Sequence, residues 1–368
     1  MKNDIKDVIN AIDNGRDGNS VWIPLHYKRM GEHLGIGKKM YILIGGAGGT
    51  GKTAFTDISY VLAPYAWWYN NKDKTDIKPR WIYRSMERSK TYKLAKWAAL
   101  RLYIKYNILI DVPTMLKWGT KKNRISDEIY QKIIESLDYY NEMLDYVEII
   151  DGPENPTGIY HHVKKYAEYY GSYEEIPYLT KDGIKGISKK YKLYDEKTII
   201  NVVLDHVGKC KGEKREGVYY EQESKGLLDL MSYYCSSVFR DELGFNSIAV
   251  SQFNRGMEDT IRRTKTEMAP LPSDFKGTGN SYNDADVVLA LFNPYKIKDD
   301  NNLGYDVPRF VNRYGYNRYR SVYILKNSYG IDDIGYGLNF IGEVGLTIEL
   351  PKPEDIKLED YKKYVDLK

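Results

Sequence analysis

Residues 40–53 read Met-Tyr-Ile-Leu-Ile-Gly-Gly-Ala-Gly-Gly-Thr-Gly-Lys-Thr. A short apolar run, Tyr41 to Ile44, leads into Gly46-x4-Gly51-Lys52-Thr53, and a helix-compatible stretch follows from Ala54 to Leu62. Strand, glycine loop and helix in this order are the setting that a phosphate-binding loop requires. The glycines let successive backbone amides curl toward one point, and the following helix adds its dipole. Gly46, Gly48, Gly49, Thr50 and Gly51 are therefore the expected cradle. Lys52 is placed to neutralise the β and γ phosphates, and the Thr53 hydroxyl to ligate magnesium. The expected cofactors are ATP and Mg2+.

A second oxygen ligand for magnesium belongs at the end of a buried strand. Ile199-Ile200-Asn201-Val202-Val203-Leu204-Asp205 is a mostly β-branched run ending in an acid, where a parallel strand reaches the crevice of an α/β sheet. Asp205 is the candidate; the plainer reading of it is a strand-end cap. Hydrolysis also needs a group that activates water. The strand-like Arg80-Trp81-Ile82-Tyr83-Arg84 ends in Ser85-Met86-Glu87, which puts Glu87 at a strand's carboxyl edge. A helical pattern from about Gly226 to Leu243 leads to a strand, Ser247 to Val250, that ends in Ser251-Gln252-Phe253-Asn254-Arg255. Gln252 there can touch a γ-phosphate and register its loss.

The order of these motifs resembles that of the DnaB-type replicative helicases, hexameric RecA-like motors. Members show a phosphate loop, a Ser-Leu-Glu-Met-like strand, a magnesium aspartate, Ser-Gln-Leu-Asn-Arg, then Ser-Asp-Leu-Arg-x-Ser-Gly and an Ala-Asp-Val-Val strand. The last two read here Ser273-Asp274-Phe275-Lys276-Gly277-Thr278-Gly279 and Asp284-Ala285-Asp286-Val287-Val288-Leu289. The resemblance spans about residues 20–345. It implies an α/β fold, a RecA-like P-loop ATPase with a mostly parallel sheet and helices on both faces. It implies a ring-forming, ATP-driven DNA helicase that translocates on single-stranded DNA as a homo-hexamer, with primase or other replisome proteins as partners. Glu87, Lys52 and Gln252 become catalytic residues, and Thr53 and Asp205 the magnesium pair. Lys276, Gly277, Gly279 and Arg255 become DNA contacts. Lysine for the family's arginine at 276 keeps a point charge and loses the bidentate fork.

One motif departs from the pattern. The family carries Lys-x-Arg-x-Gly late in the chain, its arginine reaching the neighbouring subunit's nucleotide. Here the segment reads Lys326-Asn327-Ser328-Tyr329-Gly330, with Ser328 in the arginine's place. Three readings stand: Lys326 acts alone; Arg313, Arg318 or Arg320 takes over; or hydrolysis is slow. The last fits a nucleotide-dependent DNA-binding or loading factor, and a recombinase-like filament is a further alternative.

The remaining segments divide the chain into a short N-terminal helix and linker over 1–20, a motor over 21–350 and a charged tail over 351–368. In the first, Ile5, Val8, Ile9 and Ile12 make one apolar stripe, ended by Asn14-Gly15, that docks either on a neighbouring subunit or on its own motor. Insertions are expected near 177–197, a hairpin around Lys181-Asp182-Gly183 with six lysines, and near 295–320. The Gly-punctuated basic stretch 208–225 and residues 256–272, with Arg262, Arg263 and Lys265, are further candidate DNA contacts. Lys+Arg 55 against Asp+Glu 51 leaves +4, so a nucleic-acid surface must be a local patch. No run is apolar enough for a membrane span, no apolar signal segment opens the chain, and Cys210 and Cys235 stand apart, which fits the cytoplasm of a bacterial cell or phage-infected host. The five histidines have no metal-ligand spacing. The 36 tyrosines against 8 phenylalanines suggest either base-stacking platforms or the bias of an AT-rich coding sequence. Few fall in the phosphate- or DNA-facing segments, which narrows stacking to Tyr219 and Tyr220.

Overall fold

A computed structural model describes residues 3–16, 22–116, 125–179, 185–254, 268–275 and 279–366. Its extended elements are β1 (Tyr41–Gly46), β2 (Lys78–Ser85), β3 (Val147–Asp151), the hairpin pair β4 (Gly171–Leu179) and β5 (Lys185–Leu193), then β6 (Thr198–Asp205), β7 (Asn246–Gln252), β8 (Val287–Phe292), β9 (Tyr319–Asn327), β10 (Ile334–Ile341) and β11 (Leu346–Glu349). All but the hairpin join one nine-stranded sheet in the order β11-β10-β9-β8-β1-β7-β6-β2-β3. The six strands from β8 to β3 run parallel, and β9, β10 and β11 continue antiparallel at one edge.

Among the described residues the α-helices of five or more residues are α1 (Asn3–Arg16), α2 (Lys52–Asp57, continued by a π turn over Ile58–Leu62 into Ala63–Asn71), α3 (Lys90–Tyr106), α4 (Asp127–Met143), α5 (Pro156–Tyr170), α6 (Lys225–Tyr233, continued by a π stretch over Tyr234–Glu242), α7 (Gly279–Asp284) and α8 (Tyr361–Val365). Side chains start the long ones: Ser89, Ser126, Asn155 and Ser224 each accept a backbone amide two or three residues into their helix.

The central parallel strands β1, β6 and β8 are buried along their whole length, as their largely apolar runs demand. In β1, Ile42 and Ile44 enter one core with Trp81, Tyr83, Phe55 and Val203, while Tyr41 and Leu43 enter the other with Ile82, Val202, Leu204 and Phe239. The period of two thus deals residues alternately to two helical layers. Tyrosine does much of the filling: Tyr41, Tyr60, Tyr65, Tyr83, Tyr305 and Tyr319 are among the largest fully buried side chains.

Several peripheral segments differ from expectation. The hairpin starts at Gly171 rather than near 177, because α5 runs directly into it. Residues 295–320 are no mere surface insertion. Tyr305, Val307, Phe310 and Tyr319 form a small core with Leu350, and Tyr361 and Tyr364 of the tail pack on it. The expected charged tail is thus partly an aromatic clasp. The α1 helix runs past Asn14-Gly15 to Arg16, and Ile5, Val8, Ile9 and Ile12 are all exposed. Among the described residues no helix is long and apolar enough to cross a membrane.

Candidate functional site: the phosphate cleft

Four parallel strands end at one edge around a cleft of about 340 Å³. Register fixes the convergence: Gln252 of β7 pairs with Gly46 of β1, and Ser85 of β2 with Asp205 of β6. Gly48, Gly49, Gly51, Lys52 and Thr53 line the cleft with Glu87, Arg88, His206 and Gln252. The loop conformation needs its glycines. Gly49 and Gly51 sit at φ +74° and +95°, where other residues are strained. A Cβ on Gly46 would lie 2.7 Å from the carbonyl oxygen of Leu291.

Lys52 Nζ donates to the carbonyls of Gly46 (2.7 Å) and Ala47 (2.9 Å). Burial lowers its pKa to about 8, a pull that Asp205 and Glu87 oppose and Lys296 reinforces. The Thr53 hydroxyl donates to Asp205 Oδ1 at 2.9 Å. Hydroxyl and carboxylate oxygens brought this close form an oxygen-only donor set, which suits a small hard divalent cation. Among the described residues no group of three or more His, Cys, Asp or Glu is arranged to hold a metal ion.

Glu87 follows β2 with its side chain partly exposed to the cleft, 3.7 Å from His206 Nε2. Burial lowers the His206 pKa below its ordinary value, although Glu87 and Asp205 pull the other way. Its Nδ1 is buried and has no hydrogen-bond partner among the described residues.

Around Asp205 lies a buried polar cluster. Lys93 of α3 donates to Tyr83 Oη (2.7 Å) and to Asp57 Oδ1 (3.1 Å), with Asp205 Oδ2 at 3.5 Å. Tyr83 Oη is 2.6 Å from Asp57 Oδ1 and 3.1 Å from Asp205 Oδ2, and Trp97 Nε1 donates to Asp57 Oδ2 at 2.9 Å. Burial raises the Asp57 pKa and Lys93 draws it back. Sequence reading missed Asp57, Tyr83, Lys93 and His206, and also Lys296, which donates to the Gly48 carbonyl at 2.8 Å from the turn after β8.

The other expected residues are not gathered here. Lys326 pairs in register with Val288, away from the cleft edge, and donates to the carbonyls of Tyr282 and Asn283. It does not line its own cleft. Arg318 and Arg320, expected as substitutes, are corrected: both are buried in their own domain. Arg318 is paired with Glu343 at 2.9 Å, and Arg320 donates to the carbonyls of Asn317 and Tyr319, its pKa lowered by burial to about 10. Arg313 is exposed. Arg255, Lys276 and Gly277 lie outside the described residues, as do Arg262, Arg263, Lys265 and the Lys181-Asp182-Gly183 tip; Gly279 opens α7. Within 208–225, Glu213–Arg215 and Val218–Tyr220 form a small hairpin on which Tyr219 is exposed, while Tyr220 packs against the core.

A phosphate loop after β1, acids and an amide at the ends of β2, β6 and β7, and antiparallel strands confined to one edge define a RecA-like P-loop fold of the α/β class. Within that class the fold is that of a DnaB-type ATPase domain. The chain is similar to a solved structure described as an ATPase domain, with TM-score 0.61 and 15% identity, over 94% of this chain and 98% of that one. It is also similar to a DnaB-like replicative helicase studied with primase, with TM-score 0.56 and 16% identity, over 85% of this chain and 59% of that one. No family model and no curated protein matches the chain.

Proposed function

We propose that the chain is an ATP-hydrolysing motor of the replicative-helicase type, moving on single-stranded DNA as a homo-hexameric ring. The observation that supports this reading best is the convergence of Lys52, the Thr53–Asp205 pair, Glu87 and Gln252 on one cleft, in a fold shared with the DnaB-like replicative helicase. In this reading the loop amides and Lys52 hold the β and γ phosphates. Thr53 and Asp205 hold Mg2+, which neutralises charge that develops on the phosphates. Glu87 accepts the proton of the attacking water, and Gln252, at the end of β7, contacts the γ-phosphate. DNA is gripped by the 273–279 segment with Lys276, Gly277 and Gly279, and by Arg255. Contacts of this kind go to the backbone, are sequence-independent and weaken with salt. Primase or another replisome protein is the partner class, in a bacterial or phage-infected cytoplasm.

A forked DNA substrate tests the reading. Wild type displaces the strand with ATP, and Glu87→Gln lowers DNA-stimulated turnover by about 10²–10⁴-fold while still binding nucleotide. Full turnover in Glu87→Gln would remove Glu87 from the mechanism. The second reading, a slow ATPase that loads or clamps DNA, is favoured by Ser328 and by the self-engaged Arg318 and Arg320. It predicts nucleotide-dependent DNA binding without strand displacement. Closed rings in particle images separate both from a recombinase-like filament.

A further inference from the structure

The cluster around Asp205 is built at a cost that stability alone does not justify. It takes Asp57, Lys93 and Asp205 almost entirely out of water, with side-chain exposures of 7%, 2% and 3%. Apolar residues of the same volume commonly give an equally or more stable core than such buried ions. The contacts are directional. Asp205 offers Oδ1 to Thr53 at the cleft, while its other oxygen, Oδ2, faces Tyr83 and Lys93. Tyr83 has one hydroxyl proton and two carboxylates within reach, and Lys93 donates to the same phenol oxygen, which turns that proton toward the carboxylates. Asp57 is fixed further by Trp97, and both residues reach the lining of the cleft.

We propose that Tyr83, Lys93 and Asp57 are a positioning set that fixes the plane of the Asp205 carboxylate so that Oδ1 and the Thr53 hydroxyl are already aligned for a nucleotide-bound magnesium ion. This rests on the nucleotide-site reading above. The set also ties four elements together. Asp57 lies one turn beyond Thr53 on α2, Tyr83 is on the strand that leads to Glu87, Asp205 ends β6, and Lys93 comes from α3. Partners standing behind metal-linked ligands act by orienting them, and their loss costs metal affinity more than it costs the ligand's presence.

The test uses Tyr83→Phe, which deletes only the hydroxyl, and Asp57→Asn, which keeps the shape of the anchor and serves if the first variant does not fold. Fluorescent ADP is titrated into the full chain with Mg2+ and with EDTA, and the Mg2+ concentration giving half-maximal binding enhancement is read. In the variants that midpoint rises by about 10–100-fold, while affinity in EDTA stays within about twofold of wild type. An unchanged midpoint alongside a lowered melting temperature overturns the proposal and makes the cluster structural only. If wild type itself binds no ADP, or binds it without regard to Mg2+, the nucleotide-site reading falls and takes the positioning set with it.

Discussion

Two lysines, one in the phosphate loop and one beside Asp205, are held in opposite ways. Lys52 spends its protons on the carbonyls of Gly46 and Ala47, neutral acceptors at the lip of a cleft. Lys93 spends its own on Asp57 and Tyr83, where it is almost wholly buried. Neutral acceptors are readily exchanged for phosphate oxygens, because charge-assisted hydrogen bonds are about twice as strong. A charged acceptor in a buried site is not readily exchanged. A lysine built for exchange and a lysine built to stay can thus be told apart by what they bond.

The largest effect tests the first half of this contrast. Lys52→Ala should lower ATP turnover by at least ~100-fold, as removal of a preorganised charge donor does, and leave the melting temperature close to wild type. Lys93→Ala should do the reverse in kind, destabilising the fold by about 3–5 kcal/mol because Asp57 is left buried and uncompensated; chemical denaturation measures it. Replacing both partners, Lys93→Met with Asp57→Leu, should recover most of that loss, and failure to recover would mean the pair is worth more than its charges. The smallest effect is a pH dependence. Lys52 titrates near pH 8 in the free protein, so its charge is present below that pH and lost above it. Nucleotide affinity should be flat below pH 8 and fall by at most about tenfold per pH unit above it, and the dependence should vanish in Lys52→Ala. A flat profile to about pH 10 would show that the ammonium is not what the phosphates meet.

Much of the cleft was legible because its signals are local. Lys52 and Thr53 lie inside one loop motif, and Asp205 and Glu87 each end an apolar run, so a strand's edge could be read directly. The buried cluster was not legible. Lys93 sits among Lys90 and Lys96 on a helix that reads as a solvated face, and its partners Asp57 and Asp205 lie 36 and 112 residues away. Nothing in a pattern of single residues reports which lysine of a helix points inward. The burial of two arginine candidates was hidden for the same reason: Arg318 and Arg320 look surface-bound in a polar stretch, yet Arg320 lies in β9, an interior strand, and Arg318 directly precedes it. The hairpin and the 295–320 segment were legible as interruptions but not as parts of a packed whole, since the aromatic contact between Phe310 and Tyr361 joins segments far apart in the chain.

The abundance of tyrosine has a consequence at the alkaline end of the pH scale. Burial raises the phenol pKa of Tyr27, Tyr60, Tyr83, Tyr140 and Tyr319 above the ordinary value of 10.0, so the folded chain keeps these protons where an unfolded chain gives them up. Each such ring therefore draws on stability once the pH passes about 10, by about 1.4 kcal/mol per pH unit until its folded pKa is reached. Phenylalanine at the same positions would fill the same space and feel nothing. A core packed this way should give way abruptly in alkali, many phenols ionising together as the chain opens, and the phenolate absorbance would record that collapse as a single step.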